Sequence, residues 1–356
     1  MSFTGTACGN IQSLVKNITE RLHKKFSMVY IDSDHTAFDH PPVLDYHTNL
    51  VWTNRQTVQQ LSVPGSLNKF DRHLSLLNYD VIFLNGNHHP GNHQVVFLDE
   101  KKTTSLQKRV DQLTNILAFV DVDGQSAIPD FISDKMDTTR IPVFGLNEAE
   151  AFTRHLENQV TQSIAPLKAL ILAGGKSTRM GQNKALLNYH GASQLEQMVQ
   201  LTESLGLETY VSSSREQDYA IDATVIQDAF VGMGPLGAIL SAFKYEPNTA
   251  WLVLAVDLPY LTQNTLSDLM QQRAPQQVAT AYLNHETGFA EPLVAIYEPK
   301  AYTRMLQFLA LGYSCPRKVL INSDTCLVEP REARELTNVN TPEEFEKARN
   351  AFANGE

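Results

Sequence analysis

Five residues without a polar interruption, Ala169-Leu-Ile-Leu-Ala173, run directly into Gly174-Gly-Lys-Ser-Thr-Arg-Met-Gly-Gln-Asn-Lys184. No other stretch of the chain constrains its fold as tightly. Such an apolar run suits a parallel strand buried on both faces, which in turn needs helices on either side of its sheet. Gly174 and Gly175 let the backbone turn sharply and approach a ligand closely. Ser177, Thr178, Arg179 and Lys184 add hydroxyl donors and fixed positive charge. Backbone amides, a helix start and cations at the end of a strand form a cradle for polyphosphate. The glycine spacing matches neither the dinucleotide fingerprint nor the P-loop, so this is a nucleotide loop of another kind. A Gly-Gly pair alone also reads as a tight turn. The buried strand before it and the two cations after it favour the nucleotide.

At 356 residues the chain exceeds one ordinary domain, and two is the natural count. Hydrophobic residues at 42% and charged residues at 19% are ordinary for a globular protein. Basic residues number 29 against 39 acidic ones, and the resulting charge of -10 argues against nucleic acid as a partner. An acidic surface also repels free nucleotide, so a triphosphate site must be locally basic and calls for a metal ion. Cys8, Cys315 and Cys326 lie far apart without zinc spacing, so no disulfide framework is implied. The first residues lack the basic and apolar regions of a signal peptide, and no apolar run approaches a membrane span. The expectation is a cytoplasmic protein with no membrane partner.

The polar stretch His155–Pro166 reads as a helix end and linker, which puts the domain boundary near residue 165: residues 1–165 and 166–356. Beyond it, strand and helix patterns alternate. Strands are expected at Lys168–Ala173, Thr209–Ser213, Trp251–Val256, Val278–Leu283 and Leu293–Tyr297. Helices are expected at Ser193–Leu205, Gly234–Phe243, Thr262–Arg273, Lys300–Leu311 and Pro342–Phe352. This alternation implies a mainly parallel sheet with helices on both faces, and ligands gather beyond the carboxyl ends of such strands. Gly174 and Asp257 both fall there. In the first part, strands at Ser27–Ile31, Asp80–Asn85 and Ile116–Val120 and the amphipathic stretch Ile11–His23 predict another parallel α/β layer.

Asp257 ends the second buried strand and precedes Leu258-Pro259. A carboxylate there is desolvated unless it is paired or binds a cation. It reads either as an N-cap for the next helix or as a ligand of magnesium, an ion that takes one or two carboxylates plus phosphate oxygens. Thr341, Pro342, Glu343 and Glu344 form a helix start with cap, rigid first turn and dipole-matched charge.

Together, Leu172-Ala-Gly-Gly through Lys184, Asp257-Leu-Pro, Gly234-Pro-Leu-Gly237 and Asn338-Val-Asn-Thr-Pro-Glu-Glu344 resemble the nucleoside-triphosphate transferases. Within these they resemble the molybdenum cofactor guanylyltransferases. The resemblance covers residues 168–352. It implies a Rossmann-like α/β domain that transfers GMP from GTP to molybdopterin, in its molybdenum-loaded form, and releases pyrophosphate. Arg179, Lys184 and Asp257 are then the catalytic residues, with Asp257 on Mg2+. Leu172, Ala173, Gly174, Gly175, Lys184, Ser214, Asp228, Gly234 and Asp257 would bind the nucleotide. Asp228 is assigned to the base or ribose and Gly234–Gly237 to the base pocket, although a plain loop-to-helix junction is the other reading there. Glu291, Arg317, Asn338 and Asn340 fall at the acceptor end, the two asparagines at its metal or acceptor side. Arg317 and Lys318, read as a loop before Val319–Ile321, either pair with the acceptor's phosphate or are solvated. Two positions depart from the pattern: Asn183 stands where relatives carry Asp, and Ser214 where they often carry Asn. Leu-Ala-Gly-Gly favours guanylyl over cytidylyl transfer. A cytidylyl- or sugar-nucleotide transferase and a non-catalytic carrier of the finished cofactor are the alternatives.

The first part, from Gly5-Thr-Ala-Cys-Gly-Asn10 into the amphipathic helix, together with Asp32–Asp39 and Pro142–Leu146, resembles the molybdopterin-guanine dinucleotide adaptor proteins and their P-loop. Asn10, Ile11 and Gln12 stand where those proteins carry Gly, Lys and Ser or Thr, so the phosphate grip and the magnesium hydroxyl are expected to be lost. His88-His89-Pro-Gly-Asn-His93 reads as a surface loop or a metal site. The expected chain is a degenerate P-loop-like α/β domain joined to a nucleotidyltransferase domain. Its partners would be GTP, molybdopterin and either a molybdenum-insertion protein or a client-enzyme chaperone.

Overall fold

The computed structural model describes residues 1–33, 51–55, 58–62, 69–124, 127–174, 184–189, 191–213, 219 and 221–353, with 51–55, 58–62 and 69 as backbone. The chain divides into two compact units, Met1–Gln162 and Ser163–Glu356.

The first unit carries β1 (Ser2–Thr4), α1 (Cys8–Leu22), β2 (Met28–Ile31), β3 (Val51–Arg55), β4 (Val58–Ser62), α2 (Lys69–Leu76), β5 (Val81–Asn85) and β6 (Gln94–Leu98). It continues with α3 (Thr103–Gln107), β7 (Ile116–Asp121), α4 (Asp130–Ser133), β8 (Val143–Gly145) and α5 (Ala149–Thr161). Six strands form one sheet in the order β2-β5-β1-β6-β7-β8, every pairing parallel, while β3 and β4 make a separate antiparallel hairpin. All five residues of β6 are buried, as a central parallel strand requires. The apolar stripe of α1, with Ile11, Leu14, Val15, Ile18 and Leu22 buried, follows the helical period. Strands β1, β3, β4, β6 and β8 lie outside the sequence expectation.

The second unit carries β9 (Leu167–Leu172), α6 (Gln194–Ser204), β10 (Thr209–Ser213), β11 (Thr224–Gln227), α7 (Pro235–Tyr245) and β12 (Ala250–Ala255). After these come α8 (Gln263–Gln271), β13 (Ala279–Asn284), β14 (Phe289–Tyr297), α9 (Lys300–Ala310), α10 (Pro316–Ile321), β15 (Thr325–Val328) and α11 (Pro342–Ala353). The sheet order is β11-β10-β9-β12-β14-β13-β15. Strand β14 runs antiparallel to both neighbours and the other pairings are parallel, so the sheet is mainly parallel, as expected. Alternate residues of β9 face opposite layers: Ala169 and Ile171 join Leu195, Met198 and Leu266, whereas Leu170 and Leu172 join Ile239, Phe243 and Met305. Two cores on one sheet fix the strand ends in space. Arg317 and Lys318 correct the sequence expectation. They stand in the first turn of α10 and not in a loop, because Pro316 at the first helical position pre-sets the turn.

Candidate active site

In the second unit, β9, β10 and β12 run parallel, with Leu172 level with both Ser212 and Ala255. Gly174, Ser213 and Asp257 therefore leave the sheet along one carboxyl edge. Asp228 joins them, since β11 pairs with β10 up to Gln227 and the Asp228 amide donates to the Ser213 carbonyl at 3.0 Å. Glu291 lies at the same edge. It precedes Val294 by three residues, Val294 pairs with Leu254, and Asp257 follows Leu254 by three residues on the antiparallel neighbour.

Asp257 is the centre of a polar cluster. Its Oδ2 accepts from the Lys184 ammonium at 2.8 Å and its Oδ1 from the Asn338 amide at 3.1 Å. The Lys184 ammonium also donates to Asn340 Oδ1 at 2.6 Å. The side chains of Lys184 and Asp257 are 18% and 17% exposed, so their charges meet in a partly desolvated place and still reach solvent. The backbone is tied in as well: the Val339 amide donates to the Asp257 carbonyl at 2.9 Å. Asp257 is not the cap of the following helix, because Thr262 caps α8 with its hydroxyl on the Thr265 amide. Nearby, burial pushes the Tyr189 hydroxyl above its usual range, and the Asp257 charge adds to that.

At the other flank, the Ser212 hydroxyl donates to Asp228 at 2.6 Å. Burial pushes the Asp228 carboxyl up from its ordinary value, and the Ser212 hydrogen bond opposes this. Gly234 opens α7 with φ at +58°, a conformation open to glycine, and Pro235 follows as the first helical residue.

Glu291 is buried and accepts from the Asn284 amide at 3.3 Å. Arg317 reaches it at 3.9 Å, and the Arg317 Nε is buried without a hydrogen-bond partner. Lys318 instead lies over the Tyr313 ring at 3.7 Å. The structure thus brings Lys184, Asp257, Asn338 and Asn340 together and sets Glu291 and Arg317 beside each other. Gly175, Ser177, Thr178, Arg179, Asn183 and Ser214 lie outside the described residues. Leu172 and Ala173 are buried in the sheet and its exit, which limits them to backbone contacts with a ligand.

In the first unit, the residues from Gly5 to Gln12 make contacts of their own. Ile11 is fully buried in the core, and Gln12 and Asn85 both donate to the Asp32 carboxylate, at 3.0 and 2.8 Å. Burial pushes the Asp32 carboxyl up, but hydrogen bonds from Gln12, Tyr30, the Ser33 amide and Asn85 outweigh it, and the value falls to about 2. Asn10 donates to the Thr6 hydroxyl at 2.9 Å. Gly5 needs its positive φ of +97°, and a Cβ there would meet the Phe97 carbonyl oxygen at 2.6 Å. The loop borders a cavity of about 270 Å³ whose cations, Lys102 and Arg109, follow β6 in the chain. Among the described residues no cluster of three or more His, Cys, Asp or Glu is placed to hold a metal, so His88, His89 and His93 form none. Among the described residues no helix is long and apolar enough to cross a membrane.

Residues 169–326 match the family model of the MobA-like NTP transferase domain. A molybdenum cofactor guanylyltransferase of Xanthomonas euvesicatoria is 33% identical over 189 residues, which cover 51% of this chain and 94% of that one. A molybdenum cofactor biosynthesis bifunctional protein of Synechocystis is 32% identical over 186 residues, 51% of this chain, and the match spans 54% of that relative's length. Among solved structures, the molybdopterin-guanine dinucleotide biosynthesis protein A of Archaeoglobus fulgidus is 20% identical with a TM-score of 0.46, over 52% of this chain and 99% of that one.

Proposed function

The chain belongs, through its second unit, to the molybdenum cofactor guanylyltransferase family, and from that premise we propose that it transfers GMP from GTP to molybdopterin in its molybdenum-loaded form. The terminal phosphate of the acceptor attacks the α-phosphorus, the new P–O bond forms as the bond to the β-phosphate breaks, and pyrophosphate leaves with that electron pair. A phosphate monoester is already a nucleophile, so positioning and charge neutralisation carry the reaction.

The observation that supports this reading best is the convergence of Lys184, Asp257, Asn338 and Asn340, from three distant segments, on the edge where the glycine loop leaves β9. In this reading Lys184 meets negative charge on the triphosphate, with Asn340 and Asp257 holding its ammonium in register. Arg179, Gly174 and Gly175 take the loop side of the phosphates in this reading. Asp228, Ser214 and Gly234 take the ribose and base, where the raised Asp228 carboxyl suits a group that exchanges a desolvated contact for a ligand's hydroxyls. Glu291 and Arg317 take the acceptor, the unpartnered Arg317 Nε being a donor in want of an anionic oxygen.

Asp257 brings a carboxylate and Asn340 an amide oxygen to the same ammonium, and hard oxygens of this kind suit magnesium. Asp257, with Asn338 or Asn340, would hold the ion, which when bound neutralises charge on the phosphate oxygens. For the first unit we propose an adaptor-like scaffold without nucleotide hydrolysis. Its loop helix places Ile11 in the core and commits Gln12 to Asp32, so neither of these two positions offers a lysine or hydroxyl to a triphosphate. Its surface would dock a molybdenum-insertion protein or a client-enzyme chaperone.

Asp257→Asn in the full chain tests both parts. Turnover should fall by at least about a hundredfold, the scale for losing a principal electrostatic stabiliser, with the fold unchanged. The same variant should hydrolyse neither GTP nor ATP. Near-normal pyrophosphate release removes Asp257 from the mechanism, and metal-dependent hydrolysis shows that the first unit's loop is alive.

A further inference from the structure

The three polar segments of the second unit stand on a shared apolar floor. Lys184 is followed by Leu187 and Tyr189, Asp257 by Tyr260, and Val339 sits between Asn338 and Asn340. These side chains meet in one cluster, closed from α11 by Phe345, Ala348 and Phe352. The Tyr189 ring meets Phe345 edge-on at 4.9 Å and Phe352 at 6.3 Å, and Tyr260 packs on Phe352 at 5.1 Å. Each segment that brings a polar group to the site thus has an apolar anchor a few residues away, and these anchors share one cluster with residues of α11.

The start of α11 is joined to the strap formed by residues 338–341. The Glu344 carboxylate accepts from the amides of Asn340 and Thr341 at 2.6 and 3.0 Å, and the Thr341 hydroxyl accepts from the Glu344 amide at 3.2 Å. That box fixes the strap to the helix but does not reach Lys184 or Asp257. Asn338, Val339 and Asn340 carry hydrogen bonds from this segment to Asp257 and Lys184, and the aromatic packing ties the turns that follow those two residues to the helix itself. A cation, a carboxylate and two amides on separate turns keep their spacing only while the turns keep theirs, and small displacements are costly to catalysis.

Building on the guanylyltransferase reading, we propose that Tyr189, Phe345 and Phe352 form a positioning clamp that registers Lys184 with Asp257 and Asn340. The geometry that meets phosphate and metal then depends on a helix that lies outside the matched segment 169–326.

The test uses the full chain with Phe345→Ala, Phe345→Leu and, as a control in a separate core cluster, Phe308→Ala. Phe308 is buried in the core that contains Ile239 and Phe243, a cluster separate from that of the clamp. In Phe345→Ala, hydrogen exchange at the Val339 amide should quicken at least about tenfold as that segment opens locally. The half-saturating magnesium concentration should rise by about tenfold, the scale for losing support around a metal site. Turnover should fall by about a hundredfold. Phe345→Leu should recover most of each loss. Phe308→Ala should lower the melting temperature without moving the exchange or the magnesium dependence. A folded Phe345→Ala protein with native exchange and native magnesium dependence overturns the clamp, as does a control that shifts both equally. If Phe345→Ala does not fold, Phe352→Ala is measured in the same way, and the same results support or overturn the clamp. Absence of pyrophosphate release by the wild type would sink the guanylyltransferase reading instead, while Val339 exchange still decides the clamp.

Discussion

Gly237→Ala should loosen the second unit slightly and damage the proposed base pocket severely. Gly237 lies in the first turn of α7, where an added Cβ would sit 2.3 Å from the Phe230 carbonyl oxygen and 3.0 Å from the Met233 Cβ. Ordinary contact begins near 3.4 Å, so the segment between Asp228 and Gly234 would have to retreat by about 1 Å. It is not free to do so. Ser241 accepts from the Ala229 amide at 2.8 Å and donates to the Gly237 carbonyl at 2.6 Å, which fastens this segment to the helix. Overpacking of this kind costs about 1–3 kcal/mol, against which alanine gains up to about 1 kcal/mol over glycine as a helix residue. A net loss of about 1 kcal/mol would lower the melting temperature of a unit this size by roughly 2–4 °C. The proposed base pocket should suffer more, because Asp228 moves with the segment, and GTP turnover should fall by about a hundredfold. Scanning calorimetry and pyrophosphate release on Gly237→Ala read the two effects. A variant at least as stable as wild type, with unchanged KM for GTP, would refute both the packing argument and the pocket assignment.

Two further outcomes follow from other parts of the molecule. Lys184→Ala should cut GTP turnover by at least about a hundredfold while shifting the melting temperature little, since the pair it leaves behind still reaches solvent; intact turnover with a collapsed melting temperature would make Lys184 structural. The depressed Asp32 carboxyl stabilises the first unit above the ordinary carboxylate range, and that contribution disappears as pH falls toward about 2. Asp32→Asn should therefore lower the melting temperature at pH 7, with the gap closing between about pH 4 and pH 2; a gap that widens on acidification would contradict this.

The long apolar runs were legible because burial on both faces leaves a plain mark: Ala169–Ala173, Trp251–Val256 and Ile116–Val120 each lie on a central strand. Strand β1 is only Ser2-Phe-Thr4, and two of its residues carry hydroxyls, so its place at the middle of the first sheet comes from its neighbours and not from its own pattern. Strand β15 sits at the edge of the second sheet, where one free side removes the apolar signature. The α10 helix was marked by Pro316 at its first position, a signal that outweighs the charged pair after it.

In the site, Asp257 and Lys184 were legible from strand ends and loop chemistry. Their partnership with Asn338 and Asn340 was not, because a contact across 156 residues leaves no local period. Phe345 and Phe352 carry a detectable sign, being two helical turns apart on one face, yet nothing in the sequence says that the face meets Tyr189. Ser212 and Asn284, which hold Asp228 and Glu291, look like ordinary strand residues until the neighbouring strands are in place.

The most direct test supplies the full chain with magnesium and molybdopterin and compares pyrophosphate release from GTP and from CTP. One pyrophosphate is expected per dinucleotide formed from GTP, with discrimination of at least about a hundredfold against CTP, because a pocket whose polar groups pair with one base leaves them unpaired with the other. Equal efficiency with CTP, or no pyrophosphate from either nucleotide in a folded protein, would contradict that expectation.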